Sequence, residues 1–583
     1  MLIPTATPTS AKRVARLAAA ALVSILGWSC GSSDNSSPGE LSGAGTGGTN
    51  GSAGGGPGSG GGATSPGEGN VGGVDAGVPA LPPETKAESN YQSPVATGHI
   101  VWIANPTSGR VAYIDATSFA VQTVEAGDGP TYLAAVPDAM DDVAIVLNVR
   151  SHDATLLRDH LGQLSTATYP STTDANAWAV SADGRWAIAW TNSSLIADAD
   201  PTEGFQDIAV LDLSPSGARA PIVLSVGFRP SQVVFSADNA HAFAVTQDGI
   251  SVVDLLGGTQ PLVTQNFPLR APLAAAIDAG TGPNAPARDA GASGATPDVS
   301  FTPTGTYALV RTEGASSITI VSLKDGTATA VALPSPPTDL TMAPGGLFAL
   351  AVLRDISTVA LLPLPQIVSD PTTLTLIPIA GETIGRAIVT HDGKTAILFT
   401  TAAPVESITV LTLQPTPTFR TIVLHAPVLA VFPTADAQNA IVLNDVTAQP
   451  QSTVRGAFSI VPIAANLPAK IVSLTAPPTA VALSPASDRA LVTVRDDSSS
   501  TYGLYVGMMP SLEVVQYPLA SPPIAVGIAA SAERGYAAQD YPEGRITFVD
   551  LTSQECDGSA SCSLVRTITG FELGARVVNG STP

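Results

Sequence analysis

The stretch VWIANPTSGRVAYIDATSFAVQTVEAGDGPTYLAAVPD, residues 101–138, carries the pattern that the rest of the chain repeats. Its apolar runs have the length of short β-strands, and they fall at Val101–Asn105, Val111–Asp115, Ala120–Glu125 and Thr131–Val136. Gly, Pro, Ser and Thr residues separate the runs, as turns require. One such meander leaves its apolar face uncovered, so the sequence predicts that copies of the unit stack on one another.

The unit recurs through a hairpin turn that joins its fourth strand to the next unit. Nine such turns, spaced 41 to 67 residues apart, centre on Asp138, Asp183, Asp238, Gly305, Gly346, Asp392, Asp436, Asp488 and Glu533. The clearest copies contain Asp-Gly or Asp-Asn, which suit a tight turn between strands because both pairs tolerate positive φ. Four strands in a period of about 45 residues is the spacing of a β-propeller blade.

The units resemble the YVTN-type, WD40-like β-propeller repeats of bacterial surface and exported proteins. Val101–Asn105 matches the Tyr-Val-Thr-Asn strand of that family, and Val111–Asp115 matches its Val-x-Val-Ile-Asp strand. Gly127–Pro130 matches the family's Gly-x-x-Pro, and Ser181–Gly184 matches its Ser-Pro-Asp-Gly turn with alanine in place of proline. The resemblance covers residues 99–578 and implies that the strand before each turn lies innermost in its blade.

We therefore predict an all-β protein, a β-propeller of four-stranded blades with about ten repeat units. Because the repeat begins in the middle of a blade, we expect the last strand, Ala575–Asn579, to complete the first blade. The ring would then be closed by pairing of the N- and C-terminal strands. Two alternatives remain: a seven- or eight-bladed ring with extra units, or two smaller rings divided near the Ala/Gly/Pro-rich insertion at residues 276–296.

The N-terminal segment has the pattern of a secretory signal peptide, predicted over residues 1–29. Basic residues precede the apolar run Leu17–Leu26, and Cys30 follows a small residue. This cysteine resembles a bacterial lipoprotein acylation site, which implies a lipid anchor; ordinary signal cleavage or an incidental cysteine is the alternative. The Gly/Ser-rich residues 30–94 predict a disordered tether, and the β-propeller domain is expected over residues 95–583.

The charge balance bears on the partner. With 48 acidic against 26 basic residues, the formal net charge is −22, which disfavours nucleic acid because phosphate binding needs a basic surface. The predicted partners are a lipid membrane, through the acyl anchor, and an unidentified protein or glycan ligand. The predicted location is extracytoplasmic, in the bacterial cell envelope, with the choice of inner or outer membrane left open.

Cys556 and Cys562 are predicted to form a disulfide on a loop. An exported protein lies where such a bond survives. Neither His nor a further Cys adjoins the pair, which makes it a poor zinc site.

The predicted inner strands carry mostly Ser, Thr and Asn as polar residues, which supply neither an acid–base pair nor a metal site. The best candidates for the mouth of the channel are Arg386, Arg576, Asp339 and His391. A polar loop offers the carboxylates of Asp198, Asp200 and Glu203 to calcium, although their spacing is not that of an EF-hand, and a solvated loop is the other interpretation. No catalytic residue and no resident cofactor is assigned, with calcium as the alternative.

Three functions are consistent with these features. The first is a non-enzymatic extracytoplasmic lipoprotein that uses its propeller as a protein- or glycan-binding scaffold. The second is an enzyme of the lactonase or quinoprotein-like type, which would need acids, arginines or histidines converging at one mouth. The third is a calcium-stabilised adhesin.

Overall fold

The computed structural model describes residues 94–579 except 139, 216, 218–219, 270–297, 446–452, 553–564 and 572–575, with the backbone alone at 576–579. The predicted signal peptide, Cys30, almost all of the tether, the insertion at 276–296 and the pair Cys556 and Cys562 lie outside the described residues. Those assignments stay predictions.

The described residues form ten antiparallel sheets, nine with four strands and one with five. Each sheet uses strands that are consecutive in the sequence, so each blade is one continuous segment of the chain. The strands of blades 1 to 5 are β1 (Val95–Ala96), β2 (Ile100–Asn105), β3 (Arg110–Asp115), β4 (Val121–Glu125), β5 (Pro130–Val136), β6 (Asp142–Asn148), β7 (Asp153–His160), β8 (Gln163–Pro170), β9 (Ala177–Val180), β10 (Trp186–Trp190), β11 (Asp207–Asp212), β12 (Ile222–Ser225), β13 (Gln232–Phe235), β14 (His241–Val245), β15 (Gly249–Asp254), β16 (Leu262–Pro268), β17 (Asp298–Phe301), β18 (Tyr307–Arg311), β19 (Ser317–Ser322) and β20 (Ala328–Ala332).

The second half of the ring follows the same plan. The strands of blades 6 to 10 are β21 (Asp339–Met342), β22 (Phe348–Leu353), β23 (Thr358–Pro363), β24 (Thr375–Pro378), β25 (Arg386–Val389), β26 (Thr395–Phe399), β27 (Ser407–Thr412), β28 (Thr418–Val423), β29 (Val428–Pro433), β30 (Asn439–Asn444), β31 (Gly456–Pro462), β32 (Lys470–Leu474), β33 (Pro478–Leu483), β34 (Arg489–Asp496), β35 (Thr501–Met508), β36 (Val514–Pro518), β37 (Pro523–Ala529), β38 (Arg534–Gln539), β39 (Arg545–Asp550), β40 (Val565–Thr569) and β41 (Arg576–Asn579). Helical structure in the described part is limited to α1 (Gln366–Ser369) and three 3-10 turns at Ser193–Leu195, Arg354–Ile356 and Pro371–Thr373. None of these helices has the length and apolar character needed to cross a membrane.

The first strand of each blade lines the central channel. First strands of neighbouring blades contact one another, as β5 does with β9, β17 with β21, β21 with β25 and β33 with β37. Blades approach each other in this way only near the axis of a propeller, so the first strand is innermost, as predicted. The loops that enter the first strands therefore gather at one mouth of the channel, and the hairpin turns that leave them gather at the other.

The second and third strands of the blades form the core. Every residue of β2, β30 and β31 is buried. These strands are almost continuously apolar because each blade packs against a neighbour on both faces. The fourth strands lie at the outer rim, where most residues of β4 and β8 are partly or fully exposed.

The hairpin turns repeat because their side chains tie the strand ends together. At Asp183, the Ser181 hydroxyl donates a hydrogen bond to the carboxylate (2.6 Å), which also accepts one from the backbone N–H of Arg185 (3.1 Å). Gly184 has a φ of +68°, and a Cβ there would lie 1.8 Å from the carbonyl oxygen of Pro137 in the neighbouring blade. The hydroxyl–aspartate bond recurs at Ser236–Asp238, Thr390–Asp392 and Thr434–Asp436.

Ten apolar clusters, one between each pair of neighbouring blades, run around the ring. The cluster between blades 10 and 1 joins Ile114 to Phe548 and their neighbours. Phe119 of blade 1 meets Phe548 edge-on, with ring centroids 5.6 Å apart. Ser531 donates a backbone hydrogen bond to the carbonyl oxygen of Gly98 (3.0 Å). The described residues therefore form one ring of ten blades, rather than a seven- or eight-bladed ring with extra units or two smaller rings.

The expected closure by pairing of the terminal strands is corrected by the strand order. The innermost strand of blade 1 is β1, in which Val95 pairs with Trp102 of β2. Strand β41, which corresponds to the predicted strand Ala575–Asn579, pairs with β40 through Arg576 and Thr569 and forms the outer edge of blade 10. Because β1 already fills the innermost position, side-chain packing between blades 1 and 10 closes the ring.

Candidate functional site: the channel mouth

The mouth where the first strands begin has two chemically different parts. On blades 5 to 7, these strands open with Asp298, Asp339 and Arg386, which we call the charged arc. On blades 8 to 10, the second residue of the first strand is uncharged and exposed, and these residues form the uncharged arc: Leu429, Thr479 and Ile524. A partner that enters the mouth would therefore meet charge on one side and an uncharged surface, with Leu429 and Ile524 exposed, on the next.

The acidic end of the charged arc is an ion pair. Asp298 begins β17, and Arg311 lies directly opposite it at the end of β18. The Arg311 Nε atom donates to the Asp298 carboxylate at 2.9 Å, and the two side chains are 19% and 20% exposed. Arg311 also donates to the carbonyl oxygen of Pro337 (3.4 Å), in the loop that leads into blade 6. This pair fixes blade 5 to the entrance of blade 6.

Asp339 links blade 6 to blade 7. Its Oδ2 atom accepts a hydrogen bond from the backbone N–H of Ala387 at 2.8 Å, next to Arg386. Although the residue is partly exposed, protein surrounds its carboxyl group, and this burial raises the pKa of Asp339. The Ala387 N–H and the Arg386 charge oppose the rise, while the Asp298 charge adds to it. The charged arc thus contains a carboxyl group, that of Asp339, whose pKa is raised above its ordinary value, next to Arg386.

Arg386 is the cation that the arc leaves unpaired. Its guanidinium carbon lies 5.7 Å from the centre of the Phe399 ring, on the strand opposite. Among the residues that the structure describes, it has no carboxylate partner within 4.0 Å, whereas Arg311 does. The Arg386 guanidinium can therefore donate hydrogen bonds to an anionic or polar group of a partner at the mouth.

Bulges create the uncharged arc. In β29, β33 and β37, the ladder skips from Val428 to Ala430, from Pro478 to Ala480 and from Pro523 to Ala525. The extra residue at each bulge is left out of the strand pairing, which re-aims its side chain. Leu429 is 44% exposed and Ile524 is 42% exposed, although both belong to strands that line the channel.

Two of the four predicted mouth residues belong to the charged arc, namely Asp339 and Arg386, and two do not. His391 follows β25 in a hairpin turn, so it lies at the opposite mouth from Arg386, which begins the same strand. Arg576 begins β41 at the outer edge of blade 10, far from the innermost position. Of the four candidates, Asp339 and Arg386 thus lie at this mouth, whereas strand direction puts His391 at the other mouth and β41 carries Arg576 to the outer edge of blade 10.

The acidic loop is held by an arginine. Asp200 accepts hydrogen bonds from the backbone and hydroxyl of Thr202 (2.8 and 2.7 Å), which lower its pKa, with Arg229 contributing. Arg229 also donates to the backbone oxygens of Asp200 and Glu203. In the described part of the chain, no group of three or more His, Cys, Asp or Glu side chains is arranged to hold a metal ion. The carboxylates of Asp198, Asp200 and Glu203 form no such group, and calcium binding by this loop stays a prediction.

Sequence reasoning missed several mouth residues. Asp298 precedes the predicted inner strand by one residue, and Arg311 lies on the second strand, where only cross-strand pairing brings it to the mouth. The sequence predicts Leu429 as an ordinary core position of an inner strand, and Ile524 precedes the predicted inner strand Val526–Ala530 by two residues. Bulges expose them, and the proline before Ile524 was the one available signal.

No protein-family model matches the chain, and no curated protein matches it. Among solved structures, it is similar to the dihydro-heme d1 dehydrogenase NirN in complex with DHE, with 17% identity, a TM-score of 0.38, and coverage of 65% of this chain and 73% of that one. It is also similar to apo AztD from Citrobacter koseri, with 13% identity, a TM-score of 0.36, and coverage of 63% of this chain and 91% of that one. A third similar structure is Kuenenia stuttgartiensis hydrazine synthase, with 14% identity, a TM-score of 0.32, and coverage of 56% of this chain and 96% of that one. At these levels the similarities carry no functional argument, and the propeller assignment stands on the sheet topology itself.

Proposed function

We propose that this protein is a non-enzymatic binding scaffold that holds a protein or glycan partner at the channel mouth formed by the charged and uncharged arcs. The observation that carries the proposal is the unpaired Arg386 guanidinium, which lies one blade away from the exposed Leu429. A cation with free donors beside aliphatic surface suits a ligand with a polar or anionic group on an apolar body.

The pairing within the charged arc supports binding over catalysis. Asp298 is neutralised by Arg311, and Asp339 is bonded to a backbone N–H. Of the charges at this mouth, Arg386 alone has no carboxylate partner among the described residues, which suits recognition of a ligand group.

The proposed setting is the bacterial cell envelope, with Cys30 acylated and residues 30–94 serving as tether. What supports it is the sequence pattern of the leader and the resemblance of the repeats to YVTN-type propellers of exported proteins. Replacing Cys30 by alanine should move the protein from the membrane to the soluble fraction of its host. If the variant stays with the membrane, the anchor is wrong, while the binding role is unaffected.

The binding role is tested with the full chain on an array of immobilised glycans and on a peptide display library. We expect a discrete set of ligands, with affinity reduced at least about tenfold by Arg386→Ala, since a hydrogen bond to a charged group contributes roughly 1.5–3 kcal/mol. Lys394→Ala is the matched control, because Lys394 is an exposed cation in the hairpin turn of the same blade at the opposite mouth. No binding in either class, or binding that Arg386→Ala leaves unchanged, contradicts the proposal.

One observation favours an enzyme as the second candidate. A carboxyl group with a raised pKa beside an arginine, as at Asp339, is the arrangement expected of a general acid. An enzyme of the lactonase type would turn over lactone substrates and would lose most of that activity in the variant Asp339→Asn. Binding without turnover on a lactone panel would leave the scaffold role in place.

A further inference from the structure

A small cavity at the mouth end of blade 2 is lined by three buried oxygen atoms that have no hydrogen-bond partner among the described residues. They are Asn148 Oδ1, Ser171 Oγ and Thr172 Oγ1. The first lies at the end of β6, and the other two lie in the loop from β8 to β9. Buried polar atoms nearly always have a partner, so three without one around a single cavity indicate a guest that contacts all three.

The orientation of the Asn148 amide is fixed by its surroundings. The residue is 1% exposed, and its nitrogen donates to Asp153 Oδ1 (2.6 Å) and Thr155 Oγ1 (2.9 Å). A carboxylate oxygen only accepts hydrogen bonds, so the amide nitrogen must face Asp153. The amide oxygen is then the atom of Asn148 left without a partner among the described residues, and Asn148 lines the cavity.

Equivalent amides elsewhere in the ring are satisfied. In blade 8, the Asn444 oxygen accepts from the Ser459 hydroxyl at 3.0 Å, and its nitrogen donates to the carbonyl oxygen of Ala426. In blade 10, the Gln539 oxygen accepts from the Ser521 backbone and its hydroxyl (both 3.3 Å). Blade 2 departs from this arrangement because its amide oxygen has no donor in the part of the chain that the structure describes.

We propose that this cavity binds one calcium ion. Its volume of about 10 Å³ admits one water-sized guest, and its lining adds the carboxylates of Asp153 and Asp174 to the three neutral oxygens. These five residues offer oxygen donors, two of them carboxylates, which match the hard donors and the charge that calcium requires; His152 also lines the cavity. Asp174 is exposed, so water can complete the coordination shell. The site differs from the acidic loop around Asp200 and does not depend on the proposed function.

The test is a calorimetric titration of the metal-stripped full chain with CaCl2, alongside thermal melting. We expect one ion per chain, with a Kd of about 10⁻⁴–10⁻³ M as in extracellular calcium modules, and a rise in melting temperature of roughly 1–2 °C at saturation. The double variant Ser171→Ala/Thr172→Val and the single variant Asp174→Asn should each weaken binding at least tenfold. Asp198→Asn, an exposed carboxylate on the neighbouring blade, is the matched control and should leave the Kd unchanged.

Two outcomes would overturn the proposal. The first is a titration without heat and without a change in melting temperature, which would show that the cavity holds only water. The second is binding that survives both the double variant and Asp174→Asn, which would place calcium elsewhere. Ser171→Ala/Thr172→Val removes only two hydroxyl groups, so a folded protein is available for either result.

Discussion

Replacing Phe548 by alanine tests how the ring is held closed. The side chain is 1% exposed and packs in the apolar cluster between blades 10 and 1. It contacts Phe119, and its ring centroid lies 6.1 Å from that of Tyr536. A buried phenylalanine covers roughly 150–200 Å² of surface, which at about 25 cal/mol per Å² is worth about 4–5 kcal/mol. Alanine retains a small part of that, so we expect a loss of about 3–4 kcal/mol, within the usual range for such truncations.

The assay is guanidinium unfolding monitored by tryptophan fluorescence, with Phe458→Ala as the matched control. Phe458 is 0% exposed in the cluster between blades 8 and 9. It contacts Tyr505 edge-on, with ring centroids 6.0 Å apart. In a closed ring the two variants should lower the free energy of unfolding by similar amounts. If Phe548→Ala costs less than about 1 kcal/mol while the control costs its full amount, blades 1 and 10 are not packed together.

Three further predictions follow from the strand order and the charges. Deleting residues 576–583 should lower the melting temperature much less than Phe548→Ala does, because β41 is an outer edge strand. If thermal melts show an equal loss for both, pairing of the terminal strands closes the ring after all. The His160 and Arg158 hydrogen bonds lower the pKa of Asp141, so they add stability above its unfolded pKa of about 3.9 that is lost as the pH falls through the folded value. Urea melts from pH 6 to pH 3 should show this loss, and Asp141→Asn should reduce it. Burial raises the pKa of Asp339, so ionisation of this carboxyl opposes folding as the pH rises above about 3.9. The free energy of unfolding of Asp339→Asn should therefore increase relative to that of the natural chain between pH 4 and pH 7. If the difference between the two proteins does not change with pH, the carboxyl is solvated.

Much of the architecture could be predicted from the sequence, because the residues that make each hairpin turn are local. Ser181 and Asp183 form a turn whose hydrogen bonds lie within a few residues, so its copies mark nine of the ten blades. The closure could not be predicted in the same way. Strand β1 has only two residues and adjoins the tether, so it has no periodic pattern, and the packing of Phe119 on Phe548 joins the two ends of the domain.

The candidate site was predictable in part for a similar reason. Asp339 and Arg386 begin inner strands, and the repeat pattern locates those strands. Leu429 reaches solvent through a bulge, which depends on how two strands pair and leaves no mark in the spacing of apolar residues. Arg311 reaches the mouth by lying opposite Asp298, which only the register of β17 and β18 reveals.

The proposed binding mouth requires one ring whose ten inner strands share that mouth, and a cross-link between the first and last blades tests this most directly. A Cβ on Gly98 would lie 3.1 Å from Ser531 Oγ, close enough for a disulfide between cysteines at the two positions after a small adjustment. In a chain whose own three cysteines are replaced by serine, Gly98→Cys/Ser531→Cys should form an internal cross-link on oxidation. The product should migrate faster on a denaturing gel until it is reduced. The control pair Gly98→Cys/Gly345→Cys, with its second cysteine on blade 6 across the ring, should not cross-link. Cross-linking of the first pair no greater than that of the control would contradict the closed ten-bladed ring.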